Sequence, residues 1–484
     1  MSSKLKKLRL EIAWNQFEKT EIDFHDRVTI LTGANGVGKS TLLRLISRTF
    51  SSIQQREVYN DLSVGDKKIL NNILKLANNK GQKEYGPGYR FDLMTTAIPT
   101  FYQKLLENDS KDFGAVAYLD FEDAMIKLSL PLESINNNTW DYEFSTEIKK
   151  NNQNDWEYYS PKYENNYVNV SSYNPGVSIS SHKSPYIYSK ISYIPNGLLN
   201  KDDIFMQYLN AINFQHNISE SYPDIRNPHE VIKQTIITMI LYSSDSKYMI
   251  NNKDVREELN NFVNLLKITL PKEIGFKDIR LDNNNGEIIF LTKTGNFLMD
   301  SLSSGMGSII DIVWQLFMTV PSDREYFVLI DEIENHLHPS MQRDILPKLC
   351  QAFPNVQFII STHSPFVVTS MEDSTIYVLD YNKNNRVEIT KLEDYKYNLS
   401  MSNTDVLYNV LGVSNTIPIW AEKKFNQILS MYKDKNLTSD DQFEQLKSDM
   451  KEAKIDSLLS DLIFNINNSE DGLYGETTKK DDSE

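Results

Sequence analysis

The stretch Gly33-Ala34-Asn35-Gly36-Val37-Gly38-Lys39-Ser40-Thr41 has the G-x-x-x-x-G-K-[ST] spacing of a phosphate-binding loop. It follows an apolar run containing Val28, Ile30 and Leu31 and precedes a helical pattern of Leu42, Leu43, Leu45 and Ile46. That setting of strand, loop and helix is what the spacing needs. Glycines let backbone N–H groups curl inward around a β-phosphate, and the helix N-terminus adds partial positive charge. Lys39 can reach the β- and γ-phosphates, and the Ser40 hydroxyl is placed to ligate Mg²⁺. A glycine turn that merely caps a core helix is the plainer alternative, and the flanking strand and helix weigh against it. The stretch predicts a nucleoside triphosphate site.

Far downstream, Tyr326-Phe327-Val328-Leu329-Ile330 is a wholly apolar run that ends in Asp331-Glu332. Such runs are typical of buried parallel strands. A carboxylate at the strand end can hold Mg²⁺ opposite Ser40, and the next one can deprotonate an attacking water. Alone, an Asp-Glu pair reads as a helix cap; the upstream phosphate loop raises the catalytic reading. Glu334 is the rival base, with a first-turn carboxylate before Pro339 as its structural alternative. Leu302-Ser303-Ser304-Gly305-Met306 precedes an apolar helix expected over Ser308 to Thr319. A Ser-Ser-Gly turn at a helix N-terminus is an anion site, or a simple N-cap. Val356–Ile360 predicts another strand, followed by Ser361-Thr362-His363-Ser364-Pro365. A His there can donate to a γ-phosphate. His336 and His338 stand two apart and suit a helix entry at Pro339 better than a metal pair.

Composition is that of an ordinary globular chain: 484 residues, 40% hydrophobic and 24% charged. No apolar run reaches the length of a membrane span and no leader opens the chain, so a cytoplasmic location is expected. Cys350, the single cysteine, falls in an apolar helical pattern and predicts a packed thiol. Triplets such as Asn169-Val170-Ser171 follow from an Asn-rich composition. The net charge of −15 does not indicate nucleic acid as a partner, since a duplex would be repelled outside a local patch. Lys4, Lys6, Lys7 and Arg9 form the densest basic cluster and read as the wet face of a first strand.

Alternation over residues 5–14, then Ile22 and Phe24, predicts a strand and hairpin feeding the phosphate-loop strand. Residues 51–110 read as polar helix, 113–194 as antiparallel β with long loops, and 203–270 as helix. A β pair is expected at Ile288–Leu291 and Phe297–Met299 around Lys293-Thr294-Gly295-Asn296. Strand–helix alternation then runs to about residue 395 and predicts a parallel sheet; residues 403–464 read as helix.

The order of these motifs resembles the ABC-type P-loop ATPases. Asp331-Glu332-Ile333-Glu334-Asn335-His336-Leu337-His338-Pro339 and Ser361-Thr362-His363-Ser364-Pro365 look like the branch of the OLD-family ATPases. That branch holds the ATPase subunits of the Septu, PARIS and retron anti-phage systems. The resemblance covers roughly residues 1–50 and 285–395. It implies an α/β fold: an ABC-type ATPase head with a mixed β-sheet and antiparallel β lobe, a helical insertion and a helical C-terminal region. The expected division is 1–200 for the first ATPase lobe, 201–284 for the helical insertion and 285–395 for the second lobe. A helical region at 396–465 and a disordered tail at 466–484 follow.

Carried over residue by residue, the resemblance implies ATP and Mg²⁺ as ligands, with the loop Gly33–Thr41 on the phosphates. Ser40 and Asp331 would hold the metal, and Lys39, Glu332 as base and His363 would act in catalysis. Ser303, Ser304 and Gly305 would meet the nucleotide of a second subunit, which requires a homodimer or higher homo-oligomer. The chain departs from transporter-type members at Ser304, Met306 and His338, and no glutamine loop can be placed; the region after Ile191–Pro195 is the candidate, although Asn196 does not match. The gap between Lys39 and Leu302 is too long for a transporter subunit and has no sustained heptads for an SMC-type arm. No apolar strand ending in Asp-x-Asp follows residue 395, so a nuclease would be a separate chain. The expectation is an ATP-hydrolysing sensor or regulator of a separate effector, a nuclease or toxin encoded nearby. A RecF- or SMC-like DNA-maintenance ATPase is the alternative.

Overall fold

Largely apolar runs form the central sheet, and runs that alternate form the sheet beside it. The computed structural model describes residues 4–47, 113–122, 124–131, 145–150, 157–158, 176–181, 200–215, 227–245, 252–282, 284–392, 418–432 and 440–459, with a few isolated positions. The expected helix over 51–110, the segment 196–199 and the tail 466–484 lie outside them. Two compact units divide at Ser402.

In the first unit, β1 (Leu5–Leu10), β2 (Thr20–Asp23) and β3 (Val28–Gly33) lead into α1 (Lys39–Ser47). Next come β4 (Phe113–Phe121), β5 (Ala124–Pro131), β6 (Ser145–Lys150), β7 (Glu157–Tyr158) and β8 (Gly176–Ile179). Three helices follow: α2 (Lys201–Gln215), α3 (Pro228–Ser243) and α4 (Lys253–Thr269). The chain continues as β9 (Asp278–Leu281), β10 (Ile288–Leu291), β11 (Phe297–Leu298), α5 (Ser304–Thr319), β12 (Tyr326–Ile330) and α6 (Pro339–Ala352). It closes with β13 (Val356–Ser361), α7 (Pro365–Val368), β14 (Thr375–Tyr381) and β15 (Val387–Lys391). The second unit holds α8 (Ile419–Tyr432) and α9 (Asp440–Glu452), around Phe425, Leu446 and Met450.

The central sheet has the order β15-β14-β3-β13-β12-β8 and is parallel except for β15. Every residue of β3, β12 and β13 is buried. Burial on both faces is why these strands read as largely apolar runs without clear alternation. A separate sheet, β2-β1-β4-β5-β6-β7, is antiparallel throughout. Leu5, Leu8, Leu119 and Ile126 from it share a core with Phe327, Leu329 and Ile359 of the central sheet. Buried Gln357 joins the two sheets: it accepts from the Leu5 N–H at 2.9 Å and donates to the Leu5 and His25 carbonyls at 2.8 Å.

Within the described residues the expected strands and helices are present, apart from the following differences. Within the stretch expected as antiparallel β, β8 instead pairs parallel with β12 at the edge of the central sheet. Its short run Gly176-Val177-Ser178-Ile179 lacks the long apolar signal that marked β12. Strand β9, which pairs with β10, was not foreseen. Helix α5 begins at Ser304 rather than Ser308, since Ser303 caps it and both Gly305 and Gly307 lie inside the helix. Glycine's poor helix propensity conceals that first turn.

The N-terminal basic cluster is paired, as its reading as a wet strand face requires. Lys4 meets Glu325, Lys6 meets Asp26 and Glu122, Lys7 meets Glu21 and Asp23, and Arg9 meets Asp120. Among the described residues no helix is long and apolar enough to cross a membrane.

The helical insertion grips the segment that leads into α5. Lys233 of α3, 1% exposed, places its ammonium 2.5 Å from Glu287 and 2.6 Å from Asp300. Removing one partner of such a buried set leaves charge without compensation. Lys233→Met is therefore expected to destabilise the protein by about 3–5 kcal/mol. Chemical denaturation followed by circular dichroism measures this, and an unchanged midpoint would contradict it.

Candidate nucleotide-binding site

Gly33 ends β3 with φ +135°, and a Cβ there would stand 2.1 Å from the Leu379 carbonyl oxygen. Gly38 has φ +90°, with Gln16 and Phe17 packed where its Cβ would be. No other residue type fits either place. Between them Ala34, Asn35 and Gly36 are exposed and Val37 is buried. α1 then starts at Lys39, with half-buried Ser40 and Thr41 in its first turn. The loop and helix N-terminus have the form that receives phosphate.

Lys39 lies across this loop, with its ammonium 3.1 Å from the Gly33 carbonyl and 2.9 Å from that of Ala34. Burial pushes its pKa down to about 8, against the pull of Asp331, Glu332 and Glu334. On the neighbouring strand end, the Ser40 hydroxyl donates to Asp331 at 3.0 Å. Two hard oxygens, a hydroxyl and a carboxylate, thus converge, and such a pair fits Mg²⁺ completed by phosphate and water.

The Asp331 carboxylate also accepts from the Ser361 hydroxyl at 2.5 Å. The same hydroxyl accepts the Glu332 N–H at 2.8 Å. Glu332 holds a left-handed backbone, φ +47°, and its carboxylate accepts from Asn335 Nδ2 at 2.8 Å. Asn335 donates as well to the Ser181 carbonyl at 3.2 Å, just past β8. Glu334 is not a first-turn carboxylate, since α6 starts only at Pro339. It accepts from the Thr362 hydroxyl at 2.8 Å and from the His363 N–H at 2.5 Å. His363 Nδ1 then stands 3.5 Å from Lys39 Nζ. Burial, and next the Lys39 charge, lower the imidazole pKa below its ordinary 6.5, so the ring is neutral at pH 7. With Nδ1 facing an ammonium, the ring proton belongs on Nε2.

The structure therefore brings together Lys39, Ser40, Asp331, Glu332 and His363 from adjacent strand ends. Among the described residues no hydrogen bond joins Ser303, Ser304 or Gly305 to these five. The Ser303 hydroxyl accepts from the Met306 N–H of its own helix at 3.4 Å. Gly305 packs on the chain after Glu334, where a Cβ would be 3.0 Å from the His336 carbonyl oxygen. His338 caps α6 through Nδ1, as a helix entry should. Ser361, Thr362 and Asn335 were visible inside the motif stretches but had no role until the strands were aligned.

A profile of the AAA ATPase domain family matches residues 5–368 of the 484. The chain belongs to that family. It is an ATPase. Among curated proteins it is similar to the Retron Ec83 probable ATPase of Escherichia coli, 28% identical over 240 residues, 48% of this chain and 40% of that one. The Retron Vc95 probable ATPase of Vibrio cholerae serotype O1 biovar El Tor is 24% identical over 396 residues, 76% of this chain and 72% of that one. Septu protein PtuA of Bacillus mycoides (strain KBAB4) is 31% identical over 150 residues, 30% of this chain and 21% of that one. The chain thus spans 40% of the Ec83 relative's length.

A lysine whose folded pKa is lowered to about 8 from 10.5 disfavours the folded state while it is charged. The penalty is present below pH 8 and is relieved as pH rises toward 10.5. The nucleotide-free protein should therefore gain stability across that window relative to Lys39→Met. Denaturation midpoints of the two proteins measured side by side test this, and parallel pH profiles would refute it.

Proposed function

We propose that the chain is a Mg²⁺-dependent ATPase whose nucleotide state governs a separate effector protein in cytoplasmic anti-phage defence. The observation that carries the ATPase part is the Ser40 hydroxyl on the Asp331 carboxylate at 3.0 Å, beside Lys39, Glu332 and His363. In this reading Lys39 and the N–H groups of Gly33–Thr41 hold the phosphates. Ser40 and Asp331 would hold Mg²⁺, which when bound would neutralise phosphate charge. Glu332 takes a proton from the water that attacks the γ-phosphorus as the bond to the ADP oxygen breaks. His363 donates from Nε2 to the γ-phosphate, with Glu334 and Thr362 holding its backbone.

The defence part rests on the names of the retron and Septu relatives. Among the described residues no hydrogen bond joins Ser303, Ser304 or Gly305 to Lys39 or Ser40, which supports a head-to-tail homodimer in which those residues meet the nucleotide of the other subunit. The DNA-maintenance alternative has less support, because the densest N-terminal cationic cluster is already paired with carboxylates.

Glu332→Gln should retain ATP and Mg²⁺, since Asp331 and Ser40 are untouched, while turnover falls by about 10²–10⁴-fold. The trapped nucleotide should shift the protein to larger mass on size exclusion only when ATP and Mg²⁺ are both present. Normal hydrolysis in this variant would remove Glu332 as the base. Subunit complementation reads the assembly independently. Ser303→Arg and Lys39→Ala should each be inactive, and mixing them should restore part of the activity through one intact composite site. A mixture that stays inactive while subunits exchange would rule out the head-to-tail arrangement.

A further inference from the structure

Few large apolar side chains of the described residues are exposed, and one of them stands at the phosphate loop. Tyr381 closes β14 and is 47% exposed. Its strand pairs parallel with β3, with Leu379 opposite Gly33, so Tyr381 extends two residues beyond the start of the loop. Its hydroxyl donates to the Gly36 carbonyl at 3.1 Å. The Gln16 amide donates to the same carbonyl at 3.4 Å. Arg386 of the β14–β15 turn holds the Asn15 and Phe17 carbonyls at 2.8 and 3.2 Å. Among the described residues no other ring packs on that of Tyr381.

Sheet order gives this ring its direction. Asp331 and His363 follow β12 and β13, on one side of β3, and β14 lies on the other. A triphosphate seated with its γ end between Asp331 and His363 must therefore send its nucleoside out on the β14 side. We propose that Tyr381 is the platform on which the nucleobase stacks, with the Asn15–Phe17 turn beside it. The inference rests on the nucleotide-site reading above. The hydroxyl bond to Gly36 fixes the ring, so little side-chain freedom remains to be lost when a base covers its face. Stacking on an aromatic ring is tolerant of which base is present. Tyr381 thus adds affinity for a nucleotide over a bare polyphosphate.

Two Mg²⁺-loaded probes separate base from phosphate: ATP and inorganic tripolyphosphate, with binding followed by calorimetry. An aromatic stack is worth about 1–3 kcal/mol on alanine substitution, roughly 5- to 150-fold in affinity. Tyr381→Ala should weaken ATP by that factor and leave tripolyphosphate unchanged. Tyr381→Phe, which keeps the ring, should recover most of the ATP affinity. Equal loss of both probes would show that Tyr381 acts on the phosphate loop through Gly36, and unaltered ATP binding would show that no base reaches it. Either result overturns the proposal. If the unsubstituted protein binds neither probe, the nucleotide-site reading itself falls, and this inference with it.

Discussion

Strands β3, β13 and β12 end side by side, and the candidate site depends on that register. Ile330 lies opposite Ile360, and Ser361 opposite Leu31. Ser361 is thereby wedged where one hydroxyl serves both the Asp331 side chain and the Glu332 backbone. A shift of one strand by one residue would turn Ser361 to the opposite face of the sheet and separate all three.

Where the chain leaves β12 it departs from regular geometry. Glu332 and His336 both hold left-handed backbones, at φ +47° and +65°, a conformation that costs about 1–3 kcal/mol for residues with a side chain. The surroundings hold them there. Ser361 takes the Glu332 N–H, Asn335 ties the Glu332 carboxylate, and Glu334 is drawn to Thr362 and His363. Glu332 and Glu334 consequently face different partners although only one residue separates them. Glu332 stays near Asp331, whereas the Glu334 oxygens are occupied by the loop after β13. That division is the geometric ground on which Glu332, and not Glu334, is proposed as the base.

Much of this was legible in the chain itself. The phosphate loop, the apolar strand ending in Asp331-Glu332 and the strand before His363 are local signals of composition and spacing, and each appears where expected. Less legible was whatever depends on pairing between distant segments. β8 is four residues long and looked like part of an antiparallel region until its pairing with β12 was known. Ser361 and Asn335 acquire partners only when β13 and β8 arrive beside β12. Tyr381 is separated from Gly36 by most of the chain, with no motif to join them. The start of α5 was obscured for a local reason: two glycines lie in its first turns, where propensity argues against a helix.

The Ser303–Gly305 turn has two attachments. Upstream, Asp300 is held by Lys233 of the helical insertion, and α5 is embedded there by Tyr208, whose hydroxyl donates to Asp311 at 2.5 Å and whose ring lies 4.9 Å from Trp314. Downstream, Gly305 is pressed on the carbonyl of His336, in the same strained segment that carries Glu332 and Glu334. Close-packed interiors transmit displacement rather than absorbing it. A movement of the helical insertion therefore bears on the backbone next to Glu332 without any direct contact with the phosphate loop. For the proposed control of a partner, such a connection would let an event at the helical lobe and an event at the nucleotide alter one another, since any coupling between two sites is reciprocal.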